Sequence, residues 1–169
     1  FVFEETDLDE IIRTSVRKYA RQFIAKKISL CYEPVETSVV TDKKWLSFVI
    51  EQVISNAVKY TKTGSIKIYL EDGDGTMSVP LPEIAHAKKT EMGNGSTSSV
   101  CLVIEDAGIG IRAEDLPRIC EMGYTGCNGH EGQHSSGIGL YLCSRILKKL
   151  GHTFAITSKE GVGTVVKIG

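Results

Sequence analysis

After a short apolar start at residues 1–4, Leu8, Ile11, Ile12, Val16, Tyr19, Ala20 and Phe23 recur every three or four positions. That stripe predicts an amphipathic helix over residues 8–26. Asp7 precedes it as an N-cap, and Glu10 completes an Asp-led capping box. Residues 28–32 and 37–41 have the β-branched content of two strands around a turn at Glu33-Pro34. A second helix is predicted from Asp42 to about Tyr60, closed by Thr63-Gly64, with Val49, Ile50, Val53, Ile54 and Ala57 on its core face. Residues 65–71 and 99–105 alternate as strands, and residues 112–122 read as helix after a turn. A last helix spans residues 139–150 and stops at Gly151; two final strands, 152–158 and 163–168, are joined by Lys159-Glu160-Gly161.

Helices on one side and strands paired largely as hairpins predict an α+β two-layer sandwich. Its 169 residues fit one domain, 1–169, with no internal repeat. Residues 72–99 interrupt the pattern with four Gly, four Ser and two of the four Pro. Loops of that length are uncommon in compact domains, so this stretch is expected to be an insertion or extended hairpin tip that can be deleted without loss of ligand binding. Asp72 and Asp74 lack the rest of an EF-hand loop and read as a solvated turn.

Composition narrows the function classes. With 41% hydrophobic and 24% charged residues and a net charge of −1, the chain has an ordinary globular make-up and no electrostatic case for nucleic acid. No apolar run approaches the ~20 residues that span a bilayer. The chain opens on FVFEET without an initiator Met, which reads as a piece of a longer protein, so the lack of a span describes this piece alone. Cys31, Cys101, Cys120, Cys127 and Cys143 form no CxxC pair and are odd in number, which suits reduced cytosolic thiols.

Three stretches carry candidate chemistry. In the second helix Gln52, Asn56, Lys59 and Tyr60 share a sector at about 100° per residue. An amide oxygen there suits Mg²⁺ and a Lys one turn on suits a phosphate, yet a solvated helix face would carry the same letters. Next, IEDAGIGI ends a strand in Asp106 and continues D-x-G-x-G, where the carboxylate could accept from an exocyclic amino group; a plain β-turn looks similar. Then Ser136-Gly137-Ile138-Gly139-Leu140 opens the last helix, where free N–H groups bind phosphate well. A P-loop and a dinucleotide fingerprint are both excluded by the missing glycine and lysine positions. The preceding His130-Glu-x-x-His134 fits a zinc-protease pattern, but Gly129 and Gly132 interrupt it, and six of the 17 glycines lie between Met122 and Leu140. Such a run does not hold the helix that places both imidazoles on one face.

In this order the three boxes resemble the ATP-binding catalytic domain of bacterial sensor histidine kinases, in the superfamily that also contains gyrase, Hsp90 and MutL. The resemblance runs from the first strand to GVGTVVKI, and DLPRICEMGYTG with SSGIGLYL is most similar to the bacitracin-resistance sensors. It implies a Bergerat-type sandwich, a mixed sheet against three main helices with a flexible ATP lid at residues 112–136. It implies ATP and Mg²⁺ as ligands: Asn56 for the metal, Lys59 and Tyr60 for phosphate and ribose, and Asp106 for the adenine amino group. Gly108, Gly110 and Ile111 would shape that pocket, Ser136, Gly137, Ile138, Gly139 and Leu140 would cradle phosphate, and Thr164, after Gly161 and Gly163, would lie near adenine.

Gln52, Asn56 and Lys59 are the expected catalytic set. The implied reaction passes the γ-phosphoryl group to a histidine on a separate dimerisation domain, and thence to a response regulator. This fragment is then expected to be monomeric with little turnover, the cytoplasmic part of a membrane-bound homodimeric sensor.

The chain departs from the family pattern at four places. Gln52 replaces the asparagine usual one turn before the Mg²⁺ ligand, and as ATPase relatives have a Glu base there, a Gln argues for kinase over autonomous ATPase. Cys120 and Tyr124 replace the phenylalanines usual before the lid, and Ser135 replaces a glycine. An ATPase of the same superfamily, a degenerate binding module and a zinc protease are the alternatives.

Overall fold

The computed structural model describes residues 1–73, 99–126 and 137–169. Most of the 72–99 insertion, the His130/His134 motif, Ser135 and Ser136 lie outside the described residues.

The first apolar stripe forms α1 (Leu8–Lys18), after the short strand β1 (Glu4–Asp7). Asp7 caps α1 by accepting from the N–H groups of Asp9 and Glu10. Glu10 does not reach back to complete the box; its carboxylate pairs with Lys43 at 2.8 Å. The predicted single helix over 8–26 is divided. Ser15 Oγ donates to the Ile11 carbonyl, a back-bond that bends helices. Tyr19 leaves helical geometry at φ −103° and ψ 7°, and α2 (Ala20–Ala25) follows on a new course that buries Phe23.

The two strands predicted around Glu33-Pro34 exist as β2 (Ile28–Tyr32) and β3 (Ser38–Thr41), but they do not pair with each other. β3 pairs antiparallel with β1 in a separate two-stranded ribbon. β2 joins the main sheet parallel to β4 (Gly64–Gly73). The intervening helix α3 (Lys43–Tyr60) makes that parallel crossover possible. Asp42 caps it, accepting from Lys44 and Trp45 N–H, and its stripe from Leu46 to Val58 is buried as expected.

β4 pairs antiparallel with β5 (Ser99–Asp106), β5 with β7 (Gly163–Ile168), and β7 with β6 (Phe154–Lys159). The sheet order is β2-β4-β5-β7-β6. Ile66, Ile68, Leu102, Ile104, Val166 and Ile168 face one buried cluster with α1, α3 and α4 (Gly139–Leu150). The fold is thus the expected mixed sheet backed by three main helices.

The helix expected over 112–122 is reduced to one 3₁₀ turn, Leu116–Arg118, none of whose residues is buried. Without an apolar face in the core, nothing offsets the cost of nucleating a longer helix.

A carboxylate-bearing cavity between sheet and helix

Side chains alternate along a strand, so Asp106 falls on the helix-facing side with the buried Leu102 and Ile104. The register sets it opposite Thr164. Its Oδ1 accepts from Gly108 N–H at 2.9 Å and Thr164 N–H at 3.3 Å. Among the described residues none bonds its Oδ2, which is left for a ligand donor. Burial raises the Asp106 pKa, opposed by the two N–H groups and aided by the charge of Glu105.

Across from it, α3 presents Val53, Asn56, Ala57 and Tyr60 to the same cavity. The functional stripe is therefore rotated by about one residue from the sector expected. Gln52 and Lys59 flank the cavity rather than line it. Gln52 lies at the start of α4, its Oε1 2.8 Å from where a Cβ on Gly139 would stand. Lys59 Nζ sits 5.1 Å from the centre of the Tyr60 ring.

The D-x-G-x-G turn is held by neighbours that spacing did not single out. Gly110 takes φ +72°, and a Cβ there would stand 2.2 Å from the Lys159 carbonyl. Only glycine lets the turn lie so close on the β6–β7 connection. Gly161 N–H donates to Ile109 O at 2.8 Å. Ser158 Oγ accepts from Ile111 N–H at 2.8 Å, donates to Gly163 O at 2.9 Å and meets Thr164 Oγ1 at 2.8 Å. Gly108 does not line the cavity; it packs on the Tyr60 carbonyl, 2.7 Å from its would-be Cβ. Thus Gly108 joins strand to helix, while Gly110, Ile111 and Thr164 reach the cavity.

Gly137, Gly139 and Leu140 close another side, and Ile138 turns outward, 43% exposed. The N-cap residue Ile138 makes no side-chain hydrogen bond to the first turn of α4, a helix end whose N–H groups suit an anion. Asp115, Ile119, Tyr124, Thr125 and Gly126 complete the wall. All five fall in the segment expected as a lid, and none is a contact that spacing predicts; the chain path after Gly110 brings them there. Tyr124 donates its phenol hydrogen to Asp115 Oδ1.

The cavity can accept a flat apolar ligand among Ile104, Ile111, Ile156 and Val166, with an acceptor carboxylate at one end and an anion-binding helix start at another. No group of three or more His, Cys, Asp and Glu able to hold a metal exists among the described residues. Asn56 supplies a neutral oxygen inside the cavity, a donor suited to a Mg²⁺ that arrives on phosphates and keeps most of its waters. Cys31, Cys101, Cys120 and Cys143 are thiols and not disulfides, and burial lifts the thiol pKa values of Cys120 and Cys143 to about 11 and about 12.

The family described as histidine kinase-, DNA gyrase B-, and HSP90-like ATPase matches residues 41–169. The sensor histidine kinase YxdK of Bacillus subtilis strain 168 is 34% identical over 99% of this chain, and the sensor protein BceS of Halalkalibacterium halodurans is 31% identical over 95%. These matches bear out the expected likeness to the bacitracin-type sensors. The chain spans 45% of YxdK and 41% of BceS. Among solved structures, the catalytic domain of histidine kinase ThkA superposes with a TM-score of 0.72 at 20% identity, covering 99% of this chain and 94% of that one. Full-length ShkA in complex with AMPPNP gives 0.73 at 18% identity, covering 99% and 30%. At such identities the superpositions establish the fold.

Proposed function

Because this chain belongs to the histidine kinase-, DNA gyrase B-, and HSP90-like ATPase family, as the ATP-binding catalytic domain of a sensor histidine kinase, we propose the following roles for its residues. The adenine amino group donates to Asp106 Oδ2, while Oδ1 is engaged by Gly108 and Thr164. The apolar wall of Ile104, Ile111, Ile156 and Val166 takes the ring faces. Tyr60 lies along the ribose side, and the glycine box from Ser136 to Leu140 meets the phosphates, with Lys59 adding charge at the rim.

Asn56 would hold Mg²⁺, which when bound neutralises phosphate charge. Gln52 orients groups at the entrance of α4 and takes no proton. The bond from the γ-phosphorus to its bridging oxygen breaks as one forms to a histidine nitrogen on a separate dimerisation domain. This chain contributes position and charge to that transfer. A response regulator is the onward acceptor, and the parent is a membrane-bound homodimer whose cytoplasmic part includes this domain.

The observation that carries this reading is the Asp106 carboxylate, which lines an apolar cavity with one oxygen engaged by two N–H groups. Calorimetric titration with Mg-ADP tests it beside Asp106→Asn. The variant still accepts the two backbone bonds but presents a donor amide. A loss of at least about tenfold in affinity is expected, the worth of one hydrogen bond to a charged group. Equal binding by both proteins would remove adenine from Asp106.

A further inference from the structure

Tyr124 stands where two halves of the cavity wall meet. A Cβ added to Gly137 would lie 2.7 Å from both the backbone N and O of Tyr124, and Gly123 N–H donates to Gly137 O at 3.0 Å. Gly137 lies two residues before α4, whose first-turn N–H groups have no side-chain cap. The phenol of Tyr124 reaches the other way, to the carboxylate of Asp115, a cavity-wall residue only 6% exposed. From outside, the Arg118 guanidinium covers the Tyr124 ring at 4.3 Å. The Asp106 end of the cavity is assembled without this segment, from β5, β7 and the β6–β7 connection.

We infer that Asp115 and Tyr124 form a positioning pair that sets the phosphate end of the site. Their hydroxyl–carboxylate bond fixes where the wall of residues 123–126 stands. Through Gly137 that wall fixes where the start of α4 stands. Neither residue need touch phosphate for this. The inference rests on the nucleotide reading above.

Tyr124→Phe deletes the hydroxyl and keeps the ring over which Arg118 stacks. Adenosine and Mg-ADP are titrated calorimetrically into both proteins. The expected result is an ADP Kd raised on the order of tenfold, the worth of one hydrogen bond to a charged group, with the adenosine Kd unchanged. Retained adenosine binding also shows that the variant is folded. Weakening of both ligands by the same factor would indicate general loosening and overturn the inference, as would unchanged ADP binding.

The pairing itself is tested in the Asp115→Leu background, where Tyr124→Phe should have no further effect on ADP. The same penalty in both backgrounds would mean that the hydroxyl acts elsewhere. Failure of the wild-type chain to bind either ligand would overturn the nucleotide reading and this inference with it. Wild-type binding with an unresponsive variant would overturn this inference alone.

Discussion

Asp106 is costly to the empty protein. Burial raises its pKa, so the ionised form is disfavoured in the folded state relative to the unfolded chain. The folded protein is therefore penalised above that raised pKa, and the penalty fades as pH falls through it. Asp106→Asn should raise the Tm of the nucleotide-free chain at pH 7, with the two melting curves converging in acid. Scanning fluorimetry across pH checks this; a lower Tm for the variant at neutral pH would contradict it.

In the proposed complex, binding has the opposite dependence, because an adenine amino group would need the ionised acceptor. Affinity for ADP should begin to fall on the acid side at a higher pH than an ordinary carboxylate would give. Spacing made Asp106, Asn56 and Tyr60 candidates, each with a solvated face or plain turn as alternative, and it was the order of the three boxes that singled them out; all three line the cavity. Asp115, Tyr124 and Ser158 were not legible as site residues. Their roles depend on contacts between loops, Ile111 to Ser158 for instance, and no local period encodes such contacts.

The elements that present those residues are held by caps as much as by packing. Lys26, just after α2, sends its ammonium to the carbonyls of Val58 and Lys59 at the C-terminal end of α3. Two otherwise unpaired carbonyls are thereby satisfied, and a cation sits at the negative end of the helix dipole. The capped turn is the one that carries Lys59 and Tyr60. Lys26→Met should cost about 1–3 kcal/mol, the range for hydrogen bonds involving a charged donor. At this chain length that lowers Tm on the order of 5 °C. Lys26→Arg should recover part of it. Thermal unfolding of the three proteins decides the matter, and an unchanged Tm for Lys26→Met would show that water replaces the ammonium without loss.

Elements with a continuous apolar stripe, α3 and α4 above all, were readable from period alone. Partners of strands were not. β2 and β3 looked like a hairpin because they are neighbours in sequence. Yet β2 takes a parallel place beside β4 through the crossover of α3, and β3 forms a separate ribbon with β1. The segment at 112–122 had helical letters but no face to bury, and local propensity without burial yields a single turn.

At the scale of the whole molecule, the proposed reaction has two parts and this chain would hold one of them. Gln52, beside the start of α4, is a carboxamide where a hydrolytic relative needs a base, and it has no lone pair basic enough to take a proton from water. The acceptor in the proposed reaction is a histidine whose own ring nitrogen is the nucleophile, so such a base is not required of this domain. Incubated alone with Mg-ATP, the chain should therefore release phosphate no faster than a blank, while still binding ADP in calorimetry. Addition of the parent's dimerisation domain should move the γ-phosphoryl group onto that domain as an acid-labile, base-stable linkage, the signature of a phosphorus–nitrogen bond. Asn56→Ala should abolish that transfer with less effect on adenosine binding, because the role proposed for Asn56 is with the metal and the phosphates. Rapid phosphate release by the isolated chain would instead make it an autonomous ATPase of the same family, with water reaching the γ-phosphorus through a route that Gln52 does not guard.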